Sequence, residues 1–124
     1  MKSKQLKRAL EDLAEEGVTQ VFRPMLGAAW IVGVVGQLQL DVLSSRMASE
    51  YNVAVGFEVA PYETARWVLS GDPGLLRRFV ERHREAMAED RDGSPVFLAR
   101  NSWDLDRTTK DWPDLRFEKT RERG

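Results

Sequence analysis

An α+β fold of the ferredoxin-like kind is what this sequence predicts, and three features predict it. Short β-rich runs alternate with amphipathic helical stretches along all 124 residues. The first half reads helix, strand, strand, helix, strand, which becomes the split βαββαβ unit once one strand is placed in front. The run VGVVGQLQLDVLSSRMASEYNVAV from Val32 to Val55 carries its clearest part: a strand closing on Gly33 and Gly36, a helix, and a returning strand. The second half extends this with a βαβαβ portion. Two regions are expected, residues 1–60 and 61–124, together forming one compact domain of a larger protein.

Each element has its own signal. Leu6, Ala9, Leu10 and Leu13 recur at helical spacing. Ser3 is placed to cap this helix, and Gly17 supplies a left-handed stop. Lys2, Lys4, Lys7 and Arg8 stand at its amino end, followed by Glu11, Asp12, Glu15 and Glu16. That order opposes the helix dipole. The pairs Lys7–Glu11 and Arg8–Asp12 offset it by roughly 0.2–0.5 kcal/mol each. The basic end is either a solvated face or a surface that meets something anionic.

Val18–Arg23 is β-rich and Pro24 ends it; Gly27 marks a turn. Ala29–Val35 is apolar almost throughout, as in a strand covered on both faces or at a domain contact. The two pair as a hairpin. Gly36 leads into a helix striped by Leu40, Leu43, Met47 and Tyr51 and flanked by Leu38 and Val42. Asp41, Arg46 and Glu50 fall on its polar side. Asn52 tolerates left-handed geometry and ends it; Val53–Val59 returns as a strand.

In the second half Thr64–Leu69 is a strand. Asp72 caps a helix that has Pro73 at its first position. Leu75, Leu76, Phe79, Val80, His83 and Met87 trace one helical side. Asp92-Gly93 is a turn signal, and Val96–Ala99 a short strand. Ser102 is placed to cap a helix running to Trp112, with Leu105, Thr109 and Trp112 on one face. Pro113 stops it, and Leu115–Thr120 is the last strand.

Composition narrows the function. The chain is 42% hydrophobic and 31% charged, as a soluble globular domain is. Nineteen basic and 20 acidic residues leave a net charge of −1, which excludes a protein that coats nucleic acid over its whole surface. A local basic patch stays open. Cysteine is absent, which removes disulfides, zinc–thiolate sites and thiol chemistry and suits a cytoplasmic chain. No apolar run approaches the ~20 residues of a membrane span, and no secretion leader is expected.

The motifs that could carry chemistry fall away in turn. Gly33-Val-Val-Gly36 lacks the Lys of a phosphate loop, so tight packing explains both glycines. Gly71-Asp-Pro-Gly74 places an acid where phosphate would sit. His83, the only histidine, lies in a charged helix among Arg78, Glu81, Arg82, Arg84 and Glu85, without a second transition-metal ligand. Asp104, Asp106, Asp111 and Asp114 lack the glycine and late Glu of a calcium loop. Trp30, Trp67, Trp103 and Trp112 suit core or interface packing better than base stacking. In Thr64-Ala-Arg66-Trp67-Val68 the cation and the indole point to opposite faces of a strand. Arg66 is the leading candidate for a polar contact outside the domain, against a plain surface ion pair.

Six segments in order resemble one family. They are Glu15-Glu-Gly17, QVFRP (20–24), IVGVVGQLQLDV (31–42), EYNV (50–53), TARWV (64–68) and WPDLRFEKTRE (112–122). Together they resemble the C-terminal domain of bacterial peptide chain release factor 3, a class II release factor and translational GTPase. Residues 1–60 are also similar to domain III of elongation factor G, without its first strand; residues 61–124 are the release-factor-specific half. The resemblance implies a parent with an N-terminal GTP-binding domain and a β-barrel domain. GTP and Mg2+ would belong to that missing domain, and no catalytic, cofactor or metal residue is assigned to this chain. It implies a cytoplasmic factor that drives class I release factors off the ribosome, with no membrane role. Its C-terminal domain would touch small-subunit protein and rRNA, and its own GTPase and barrel domains. Arg66, Arg116, Arg121, Lys4, Lys7 and Arg8 are the candidates for those contacts. Met25-Leu-Gly-Ala-Ala-Trp30 is more apolar than an exposed turn, as a contact with those domains would require. The rival reading is a free-standing regulatory ligand-binding domain on a ferredoxin-like scaffold, since one scaffold hosts many functions.

Overall fold

The structure, a computed structural model, describes residues 2–17, 19–26, 30–34 and 36–119. Four α-helices and six strands, all paired antiparallel, are found among them, an α+β fold of the ferredoxin-like kind. The chain divides into two compact units, Met1–Phe22 with Trp30–Val59, and Arg23–Ala29 with Ala60–Gly124.

The first unit is built on two helices and a short ladder. α1 (Lys2–Glu15) begins ahead of Ser3, which therefore lies inside the helix and does not cap it. Its apolar stripe buries Ala9, Leu10 and Leu13. Gly17, at φ +85°, stops the helix, its N–H donating to the Ala14 carbonyl at 3.0 Å. β1 (Gln20–Pro24) pairs through Gln20, Val21 and Phe22 with Gly33, Val32 and Ile31 of β2 (Ile31–Gly33), the expected hairpin. At Gly33 a side-chain carbon would stand 3.4 Å from Gln20 and 3.6 Å from the Phe22 ring, ordinary contact distances, so packing there does not demand a glycine. Nor does it at Gly36: a Cβ there would meet nothing within 4 Å, and the residue is the N-cap of α2 (Gln37–Tyr51).

α2 buries Leu43 and Met47 against Ala9, Leu10, Leu13 and Val21. It ends as expected at Asn52 (φ 56°, ψ 40°), after which the Val53 N–H reaches the Met47 carbonyl at 3.0 Å. The strand expected over Val53–Val59 does not form. Val53 is buried and Val55 packs beside it, but no strand among the described residues offers this segment a ladder, and Phe57 and Val59 are exposed. Alternation alone does not make a strand without a pairing partner.

The second unit contains the complete split. Its order is β3 (Thr64–Leu69), α3 (Pro73–Arg82), a 3-10 turn (Arg84–Ala86), β4 (Met87–Glu89), β5 (Pro95–Ala99), α4 (Ser102–Asp111) and β6 (Arg116–Glu118). The strands lie in the order β4-β5-β3-β6, so each βαβ crossover skips over one intervening strand, as a ferredoxin-like sheet requires. Arg23 and Pro24, at the end of β1, add a short pairing to Glu89 and Ala88 of β4. The βαββαβ pattern therefore falls on residues 64–118, not on the first half, and the expected βαβαβ extension gains a strand. β4 was hidden because Met87 continues the apolar spacing of α3, although the helix itself stops at Arg82.

Caps fix both helices of this unit. The Asp72 carboxylate accepts from the N–H groups of Gly74 (3.0 Å) and Leu75 (3.3 Å), with Pro73 at the first position, as expected. α4 is capped by Asn101, whose side-chain oxygen accepts from the Asp104 N–H at 2.7 Å; Ser102, one residue later, is already helical. Both helices feed one core centred on Phe79, which is 0% exposed. Trp112 (5.2 Å), Phe117 (5.5 Å) and Phe97 (5.7 Å) meet its ring edge-on, and the His83 ring stacks on it at 4.4 Å. The β4–β5 turn is tied by Asp90, a buried carboxylate. It accepts from the Trp67 indole N–H and from the backbone N–H groups of Asp92 and Ser94, each at 2.9 Å. Gly93, at φ +82°, supplies the left-handed residue of that turn.

Candidate contact surfaces

In the first unit the burial of Ala9, Leu10 and Leu13 turns Lys4, Lys7 and Arg8 outward, and all three are exposed. Arg8 stands 3.9 Å from Asp12, with both side chains largely in water, a weak pair. The expected Lys7–Glu11 pair is not among the ion pairs of the described residues. Gln5, Arg8, Asp12, Glu50 and Tyr51 line an open hollow of about 460 Å3 beside them. The Tyr51 hydroxyl donates to Asp12 at 3.1 Å; burial, and then this bond to Asp12, raise the phenol pKa.

Arg46 is committed to the fold. Its guanidinium donates to Glu50 at 2.6 and 2.9 Å and to Glu16 at 2.7 and 3.2 Å, joining α2 to the residue that follows α1. Those bonds raise the Arg46 pKa, and the bond from Arg46 holds the Glu50 carboxyl below its ordinary range. A doubly engaged guanidinium has little left for an outside anion.

In the second unit Arg66 and Trp67 do fall on opposite sides of β3. Trp67 is buried with its indole on Asp90. Arg66 is half-buried, and its guanidinium folds back onto its own strand, donating to Thr64 Oγ1 at 2.6 Å and to the Ala65 carbonyl at 2.9 Å. Arg116 is exposed on β6 in register with Leu69, which places it on the Trp67 side of the sheet. Arg66 and Arg116 therefore occupy opposite faces and do not converge. Arg121 lies outside the described residues.

Two further surfaces were not singled out from the sequence. Arg77, Arg78 and Arg82 on α3, with Arg84 in the turn that follows, are all exposed. None of the four forms an ion pair among the described residues. Helical phase alone would have shown them, because Leu75, Leu76, Phe79 and Val80 claim the inner arc. On α4, Trp103 is 67% exposed, with the Arg107 guanidinium 5.4 Å over its ring. Among the described residues no group of three or more His, Cys, Asp or Glu is placed to hold a metal, and no helix is long and apolar enough to cross a membrane.

Comparison with known proteins gives these surfaces a context. The family model for "Class II release factor RF3, C-terminal domain" matches residues 1–109. Peptide chain release factor 3 of Nitrosomonas eutropha is 43% identical over 122 residues, which is 98% of this chain. The chain spans 23% of that relative's length.

Proposed function

The chain belongs to the family of class II release factor RF3 C-terminal domains, and on that premise we propose that it docks a GTP-dependent release factor on the ribosome during translation termination. In this reading GTP and Mg2+ are handled by a separate domain of the whole factor, in the cytoplasm. Residues 1–60, the half similar to domain III of elongation factor G, and the release-factor-specific residues 61–124 act as packed blocks. They carry a shift in nucleotide state to the ribosome, and so promote departure of class I release factors. Small-subunit protein and rRNA are the surfaces met, together with the factor's own GTPase and barrel domains. Lys4, Lys7, Arg8, Arg66, Arg116 and Arg121 are the proposed contacts. The observation that carries this reading is the extent of the likeness: 43% identity over 98% of this chain, to a protein named as a release factor.

The test is cosedimentation of the full-length factor with ribosomes, alongside the rate at which it frees a labelled class I factor. Lys4→Glu with Lys7→Glu and Arg8→Glu should weaken association and slow release. Unchanged behaviour of that variant would remove α1 from the contact surface. Failure of the unmodified factor to associate with ribosomes at all would refute the reading.

A further inference from the structure

The outer face of α3 and the turn after it gather four arginines within eight residues that no acid among the described residues holds. Arg23 is held by Glu89 at 3.1 Å, Arg46 by Glu16 and Glu50, and Arg100 by Asp104 at 3.9 Å, while Arg66, Arg107 and Arg116, which no described acid holds, stand singly along the chain. On α3 and the turn after it, Arg77, Arg78, Arg82 and Arg84 are exposed, and none is in an ion pair with a described residue, although Glu81 and Glu85 are interleaved with them. Arg78 and Arg82 stand four apart on the helix, a spacing at which like charges repel. Arg82 in the last turn suits the helix dipole, but the fold by itself gains nothing from Arg77 and Arg78. An anionic partner would.

We infer that this face grips the phosphate backbone of ribosomal RNA through Arg77, Arg78, Arg82 and Arg84. The inference rests on the ribosome-docking reading above and names its chemistry. A guanidinium presents a planar fork that fits phosphate oxygens in pairs. From position 77 to 82 the helix advances roughly 7.5 Å. That span, with Arg84 just beyond it, is long enough to meet more than one phosphate of a nucleic-acid strand. RNA fits better than an acidic protein surface. The outward arc of α3 is Arg77, Arg78, Glu81 and Arg82, with no apolar side chain among them, whereas a protein interface is anchored by buried apolar or aromatic side chains. The contact would be independent of base sequence and strongly dependent on salt.

Ribosome binding by the full-length factor, measured across a salt series, tests this. Each phosphate contact contributes about 0.7–0.9 to the slope of log affinity against log salt. Changing Arg77, Arg78, Arg82 and Arg84 to Gln should therefore flatten the slope by roughly 3 and weaken binding more than tenfold at low salt, with an unchanged thermal melt. The matching Arg→Lys variant keeps the charge and should keep the slope, which separates a lost contact from a damaged fold. Binding weakened with the slope intact would point to a protein partner and overturn the inference. So would loss of the slope in the Lys variant. If the Gln variant binds as the unmodified factor does, the α3 contact falls while the docking reading stands. If the unmodified factor does not bind, both fall.

Discussion

Phe79→Ala is the sharpest test of how the second unit holds together. The side chain is 0% exposed and sits among the rings of Phe97, Trp112 and Phe117, 5.2–5.7 Å between centroids. Removing a buried phenyl ring costs about 3–5 kcal/mol through lost transfer energy and the cavity left behind. Edge-to-face pairs add about 0.5–1.5 kcal/mol each beyond area. Three such pairs share one ring here, and their energies overlap with the area already counted, so the middle of the 3–5 range applies, about 4 kcal/mol. With domains stable by about 5–15 kcal/mol, that is a large fraction of the whole. At a urea slope of about 2 kcal/mol/M it moves the unfolding midpoint by roughly 2 M. The assay is urea denaturation followed by circular dichroism and by tryptophan fluorescence, since Trp112 is part of the cluster. Trp103→Ala is the control: Trp103 is as large but 67% exposed, so it should shift the midpoint by less than about 0.3 M. A Phe79→Ala midpoint within about 0.5 M of the parent's would refute the idea that α3 and α4 are held to the sheet through this ring.

Two other outcomes are expected. Asn52 holds a left-handed conformation (φ 56°) at the end of α2, so Asn52→Ala should lower stability by about 1 kcal/mol while Asn52→Gly stays near neutral; equal melting temperatures for the two would contradict the C-cap reading. Glu50 has its pKa lowered from the ordinary 4.5, chiefly by the hydrogen bond from Arg46. A lowered folded pKa gives stability that is present above the ordinary value and is lost as pH falls through the folded one. Thermal melts of the parent and Glu50→Gln should therefore differ most near neutral pH and converge on acidification below about pH 4; a gap that widens in acid would have the wrong sign.

The elements that could be read from sequence are those whose signals are local. Helical spacing in Leu6–Leu13, the Asp72-Pro73 start, the Asn52 stop and the Asp92-Gly93 turn each act within a few residues, and each stands in the structure as read. What could not be read depends on partners far along the chain. β4 exists because Met87, Ala88 and Glu89 meet Phe97, Val96 and Pro95, while its own three residues extend the apolar rhythm of the helix before it. Val53–Val59 alternates as a strand should but joins no ladder among the described residues. Arg66 shows the same limit at a side chain: alternation put it across the strand from Trp67, but could not show that its Nη1 folds back onto Thr64 and Ala65.

That division bears on where contact chemistry can reside in this domain. A cation is available to an outside anion only after the fold has made its own demands on it. Arg46 satisfies two carboxylates of its own unit through three nitrogens and so offers no full guanidinium fork, whereas Arg66 spends only Nη1 on its own strand. Lys4 and Lys7 remain available because the helix under them is already satisfied by its apolar face. The α3 arginines remain available for the same reason, with the core of the second unit filled by Leu75, Leu76, Phe79 and Val80. The availability of a charge is thus settled by packing beneath it more than by its position in a motif. It follows that charge changes at Arg46 should act first on stability, whereas changes on the outer faces of α1 and α3 should act on binding while leaving the melt in place.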